Sequence, residues 1–221
     1  MYLTQTKAKL LLGEALVLHV DPRKVTHHAG SKYPVSKLIE RKLSAFPKVI
    51  RKNASRISTR CHPFIFADEA LLPLTEIESL EKDIRIKDFL CSSHFTDSLW
   101  YQSLLTELST KGRTRHKDIK ITSQDELNHF FESYVYGLIA SMRKQGYVAS
   151  KGSDAGTAFV LGNGVLVKSA SADHRFLVAR NLGVRNIPLT IMGVCRDWLT
   201  KTGPNIEQIG MALRDIEERY R

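Results

Sequence analysis

VLVKSASADHRFLVARNLGVRNIPLTIMGV, residues 165–194, is the stretch whose reading decides the fold. An apolar run ends at Lys168, and four small residues follow, Ser169, Ala170, Ser171 and Ala172. Helical spacing then runs from Asp173 to Leu182, and Gly183 stops it. Residues 187–194, with Pro188 near the start, read as a second strand. Strand, helix and strand in this order predict a sheet carrying helices. Just upstream, Gly162-Asn163-Gly164 separates two β-rich segments, 157–161 and 165–168. Asn-Gly in that setting predicts a hairpin with a two-residue type I′ turn, whose central positions both need positive φ.

Outward from this stretch the pattern stays mixed. Residues 15–20 read as a short strand turning at Asp21-Pro22, and residues 75–90 have helical character, with Ile77, Leu80, Ile84 and Phe89 on one side. Residues 95–108 form a further candidate helix, with Leu99, Trp100, Leu104, Leu105 and Leu108 on its apolar face. The clearest helix is 124–145, opened by the capping-box pair Ser123 and Glu126 and ended by Gly146. A terminal helix is predicted over 205–220. The fold class expected is α/β (mixed α+β), a small mixed sheet flanked by helices. The chain divides by composition into residues 1–60, a strand and a basic segment, and residues 61–221, an α/β body with a C-terminal helix, the two expected to form one compact domain.

Charge draws that division. The 221 residues carry a formal net charge of +10. Residues 1–60 hold 13 Lys+Arg and three acids, so that segment carries the whole excess and the rest is neutral. The densest run, 32–60, includes Lys37, Arg41, Lys42, Lys48, Arg51, Lys52 and Arg56, with Glu40 its single acid. These seven bases are the candidate nucleic-acid-binding residues, because neutralised phosphates release counterions. Residues 34–46 have the spacing of an amphipathic helix, whereas periodicity fades after Pro47, which leaves a solvated basic loop as the competing reading. Only Tyr33 and Phe46 are aromatic in this run, so base stacking is not expected.

Three cysteines, Cys61, Cys91 and Cys195, lack disulfide or zinc-site spacing, and a reducing cytoplasm is the expected location. The apolar stretch 10–20 is interrupted by Glu14 and His19 and is too short for a span, so no membrane partner is expected. Lys7 and Lys9 before it imitate a signal peptide, but no small-residue cleavage site follows. Cys91 and His94 stand three apart without a second pair, and no metal site is expected.

The start of the 173–182 helix is the chemical focus. A helix N-terminus presents unpaired N–H groups and a partial positive charge, and small residues before it let an anion approach. Arg175 can grip a phosphate through two donors, and Ser169 and Ser171 add hydroxyls. His174 is the candidate acid or base, and Asp173 either caps the helix or fixes the His174 tautomer.

With His174-Arg175, Leu182-Gly183 and Ile187-Pro188 in this order, the stretch resembles the C-terminal half of the ParB/sulfiredoxin-like superfamily, in particular a subgroup of ParB-like nuclease-domain proteins. Residues 17–25, with Asp21-Pro22, look like that family's opening strand, and residues 99–117 resemble the segment before its long helix. The resemblance covers about 15–25 and 90–194; the basic segment lies outside it. It implies that Arg113, Arg115, His116 and Lys117 face the same cleft as His174 and Arg175, with Arg115 and His116 as further phosphate ligands. The sequence also departs from the family. Where an Asp-Gly turn is common, Ser171 and Ala172 stand here, and alanine resists positive φ. No cysteine adjoins His174, so sulfinic-acid reduction is not implied, and the arginine run of a CTP-binding clamp is absent.

The function expected is a ParB-like nucleic-acid- or nucleotide-phosphate-binding protein with a His-Arg anion site. One alternative is a nucleotide-dependent phosphotransferase, hydrolase or nuclease at the same site, for which a nucleotide with magnesium is the cofactor called for, and Asp173 or Asp154 the available acid. Another is a non-catalytic assembly subunit whose basic segment meets an acidic partner.

Overall fold

In a computed structural model that describes residues 3–116, 119–148, 156–203 and 205–221, the chain opens with helix α1 (Gln5–Leu12), which Thr4 caps by accepting from the amide of Lys7. Strands β1 (Val17–Val20) and β2 (His27–His28) flank the Asp21-Pro22 turn. Helices α2 (Pro34–Lys42) and α3 (Lys48–Cys61) follow as a hairpin, with Pro34 in the first turn of α2, where its missing N–H costs nothing. Two short strands, β3 (Ile65–Phe66) and β4 (Thr75–Glu76), lead to α4 (Glu81–Cys91) and α5 (Leu99–Lys111), the latter capped by Ser98. A small ribbon, β5 (Thr114–His116) with β6 (Ile119–Ile121), precedes α6 (Gln124–His129), a π-helical stretch Phe130–Val135 and α7 (Tyr136–Gln145). Strands β7 (Gly156–Val160) and β8 (Leu166–Lys168), helix α8 (Asp173–Asn181), strand β9 (Ile187–Cys195) and helices α9 (Arg196–Thr202) and α10 (Ile206–Tyr220) complete the chain.

Among the described residues the main sheet has seven strands in the order β1-β9-β7-β8-β2-β4, and β3 pairs with the far end of β9. It is mixed: β9 runs parallel to β7 and β3 and antiparallel to β1, and β8 is antiparallel to β7 and parallel to β2. The expectation of a mixed α/β architecture thus holds at that level. Residues 1–60 are not an appendage to the sheet, since β1 and β2 belong to it. Alternation along β7 separates its two faces. Ala158 and Val160 join the main core with Phe176, Leu177 and Leu213. Phe159 joins a smaller cluster with Phe66, Leu71 and Cys195, against which Val35 and Leu38 of α2 pack. The basic hairpin therefore roofs the second face through α2. Gly193 is required there: a β-carbon would stand 2.4 Å from the Phe66 ring and 2.8 Å from the Phe64 carbonyl oxygen.

Several expectations are corrected. Residues 48–61 are a helix rather than a loop; Ser36 of α2 donates to the carbonyl of Ser55 (3.2 Å) and shares a hydrogen bond with Thr59 (2.7 Å), tying α3 to α2. The 161–165 hairpin does not make a type I′ turn. Gly164 alone has positive φ (80°), its amide donates to Leu161 (2.9 Å), and the loop has the three-residue form with a left-handed glycine at its end. Glu126 reaches past Ser123 to the amide of Thr122 (2.6 Å), while Ser123 accepts from Glu126 as expected. Ile84 and Leu99, assigned to apolar faces, are exposed. In the long helix the π-helical stretch turns the consecutive residues Phe130 and Phe131 both inward.

Candidate functional site

Strand β8 delivers Lys168 into the sheet interior, where it is 1% exposed as a side chain. Its ammonium donates to the carbonyl of Ser169 (2.7 Å) and to that of Ser171, and lies 5.3 Å from the Phe176 ring centroid. The turn 169–172 is wrapped around this buried cation. Ser169 donates its amide to Thr157 (2.9 Å), shares a hydroxyl hydrogen bond with the Thr157 side chain, and accepts the amide of Ser171 on its own hydroxyl (3.2 Å). Ala170 donates to the carbonyl of Ser31 (3.4 Å), which joins the turn to the chain entering α2.

Ala172 closes the turn as N-cap of α8 at φ 54°, ψ 32°, the left-handed region. The sequence denies a glycine at this place, and the backbone keeps the glycine-like conformation regardless. Among the described residues no side chain caps α8, so the expected capping by Asp173 is corrected.

Asp173 is instead the hub of an ion-pair cluster. Its Oδ1 accepts from Nε2 of His28 (3.2 Å), and its Oδ2 accepts from Lys82 (2.9 Å). Lys168 stands 3.4 Å from Oδ1. Nδ1 of His28 accepts the amide of Gly30 (2.9 Å), so its proton sits on Nε2, aimed at Asp173. Burial pushes Asp173 up, but His28, Lys168 and Lys82 outweigh it and hold the carboxyl below its ordinary value. Burial pulls Lys168 down to about 8 in spite of Asp173. Asp173 therefore orients His28 and not His174, and the expectation that it fixes the His174 tautomer is corrected. Both its oxygens are engaged, so it does not fit the role of a magnesium ligand or of a free catalytic base.

His174 turns the other way. Its ring stacks on Trp100 (5.3 Å, 16°) and meets the edge of His116 (4.7 Å, 64°), and His116 packs against Phe130 and Tyr134. His174 and Arg175 are half-buried in the first turn of α8. Strand alternation along β5 buries Thr114 and His116 and exposes Arg115. Arg115 lines a separate depression with Glu107, Arg113 and Lys120. The implied shared cleft is thus half corrected: His116 reaches His174, and Arg115 is on the other side of the ribbon. Lys117 and Asp154 lie outside the described residues.

Of the basic run, Lys37, Arg41 and Arg51 line one groove beside the sheet edge; Lys42, Lys48, Lys52 and Arg56 stand exposed elsewhere on the hairpin. Sequence reasoning missed Lys168, Lys82, His28 and Arg180. Arg180 on α8 donates to the carbonyls of Pro22 (2.8 Å) and Arg23 (2.8 Å) and to Glu78 (3.1 Å), which locks the Asp21-Pro22 turn onto the helix. Cys91 ends α4 while His94 lies beyond it, and among the described residues no three His, Cys, Asp or Glu side chains are grouped to hold a metal. Among the described residues no helix is long and apolar enough to cross a membrane. Comparison with protein-family models, with curated proteins and with solved structures finds no match to this chain.

Proposed function

We propose that this is a ParB-like protein that binds a phosphate group of a nucleotide or nucleic acid at the 169–175 turn, with Arg175 as the gripping side chain, His174 beside it and the basic hairpin contributing to the hold on a polyanion. The observation that carries the reading is Ala172. A non-glycine residue is held in the left-handed region at the start of a helix that no side chain among the described residues caps. Such strain persists where the surroundings over-determine it, and it concentrates at ligand-binding turns. Electrostatics agree, because the turn is built around Lys168, with Lys82 paired to Asp173 beside it. The phosphotransferase and nuclease reading has less support, since Asp173, the one carboxylate among the described residues of the turn, is committed to three partners.

The test is a thermal-shift and calorimetric titration of mononucleotides with and without magnesium, at two salt concentrations. Arg175→Ala is expected to weaken binding on the order of tenfold or more, the scale of a lost charge-assisted hydrogen bond. No binding by the natural chain, or equal binding by the variant, would sink the proposal.

A further inference from the structure

We infer that the groove between the basic hairpin and the sheet edge is a second phosphate-binding surface, continuous with the 169–175 turn, and that the ligand is a single nucleic-acid strand long enough to occupy both. The inference rests on the phosphate reading of the turn and extends it. Lys37, Arg41 and Ser44 lie at i, i+4 and i+7 on one side of the α2 region, and they line the groove with Arg51 from α3, Ser31 from the preceding loop and Thr75 from β4. From Lys37 to Arg41 the helix rises about 6 Å, against a phosphate spacing of about 3.4 Å along the axis of a B-form strand. That length accommodates more than one phosphate.

Charge in the groove is one-sided. Three cations face a single acid, Glu40, which stands 3.6 Å from Lys37 and is held ionised by its hydrogen bond with Ser55. Arg41 gives one donor to the carbonyl of Glu69 (2.7 Å). Nε of Arg51 is buried and has no hydrogen-bond partner among the described residues. That atom is closed to solvent, so what Arg51 offers a ligand is its charge on the groove wall, which favours a phosphate there. The groove leads to the turn: Ser31, on its wall, accepts the amide of Ala170.

The lining sets the ligand class. Among the described residues no aromatic ring lines the groove, so bases do not stack there and recognition runs through the phosphodiester chain without reading sequence. A flexible single strand can follow the surface from the groove to the turn, whereas a duplex is stiff over that distance and would have to be bent to meet both.

The experiment measures anisotropy of labelled oligo-deoxythymidylates of 2 to 12 nucleotides, with thymidine monophosphate and a duplex of equal length as competitors, at about 50 and 200 mM salt. Affinity is expected to rise on the order of tenfold or more from the mononucleotide to a short oligomer and then level off. The exposed pair Lys37→Gln/Arg41→Gln should abolish most of that gain, weaken oligomer binding more than mononucleotide binding and lower the salt slope by about 1.4. Adding Arg51→Gln should remove the remainder, with circular dichroism reporting whether that variant folds. Affinity that does not grow with length, a gain that survives the double variant, or duplex binding as tight as single-strand binding would overturn the groove. Oligomer binding that is sensitive to the pair, without mononucleotide binding, would support the groove and reject the turn.

Discussion

Ala172 carries a β-carbon at φ 54°, where an L-residue other than glycine is strained by about 1 kcal/mol. Two carbonyls of the turn that precedes it explain how the conformation survives, because Lys168 draws those of Ser169 and Ser171 onto one buried ammonium. Ala172→Gly should therefore raise stability by about 0.5–1 kcal/mol, a Tm increase of about 1–4 °C by calorimetry. A lower Tm would show that the turn is not strained. The ion-pair cluster makes a second forecast at this scale. Lys168 falls from 10.5 to about 8 through burial, so between those pH values the unfolded chain holds a proton that the folded chain has released, and stability rises with pH across that window. Asp173 is held below 3.8 by the cations around it, so its contribution is present above pH 3.8 and is lost as pH falls below it. Asp173→Asn should cost about 3 kcal/mol at neutral pH and flatten the acid limb. Lys168→Met should lack the gain between about 8 and 10.5. Urea unfolding at pH 3, 5, 7 and 9.5 checks both, and curves parallel to the natural protein's would refute the assignment.

At the scale of elements, what could be read from the sequence depended on whether a periodic face meets a core. Helices α8 and α10 and the run from α6 to α7 were legible because their apolar positions are buried and Ser123 and Asn205 stand as caps. Helix α3 was not. Val49, Ile50 and Ile57 are 69%, 49% and 63% exposed, only Ser55 is buried, and its register is held by hydroxyls against α2, so periodicity had no burial to report. Strands β2, β3 and β4 span two residues each, too few for alternation to register. The site divides in the same way. Its turn and His174-Arg175 stand together in the chain and were visible. His28 and Lys82 reach Asp173 from 145 and 91 residues away, a distance that no local pattern spans. Lys168 was missed for another reason: a lysine ending an apolar strand reads as a solvent-facing end, and here the strand is buried throughout.

For the whole molecule, the excess of +10 on residues 1–60 is not a detachable tail. The same segment supplies β1 and β2 to the seven-stranded sheet, and α2 covers Phe159 and Leu71 with Val35 and Leu38. Charge and fold are nevertheless separable by side chain. Lys48, Lys52 and Arg56 are exposed on α3, whereas Val35 and Leu38 carry the packing. Deleting 32–60 should strip the second face of the sheet and give a chain with a broad, low-temperature unfolding transition, because buried aliphatic and aromatic area is lost with the helix. Replacing Lys48, Lys52 and Arg56 by Gln should leave Tm within about 2 °C, since exposed charges contribute little to stability. In a single-strand binding titration the same triple variant separates direct contact from long-range field. If all three side chains neutralise phosphates, their removal lowers the salt slope by about 2. An unchanged slope with slower association would mean that the outer face of α3 steers the ligand without touching it. An unchanged slope and an unchanged association rate together would remove that face from the binding surface and leave the groove cations Lys37, Arg41 and Arg51 as the part of the basic run that meets phosphate.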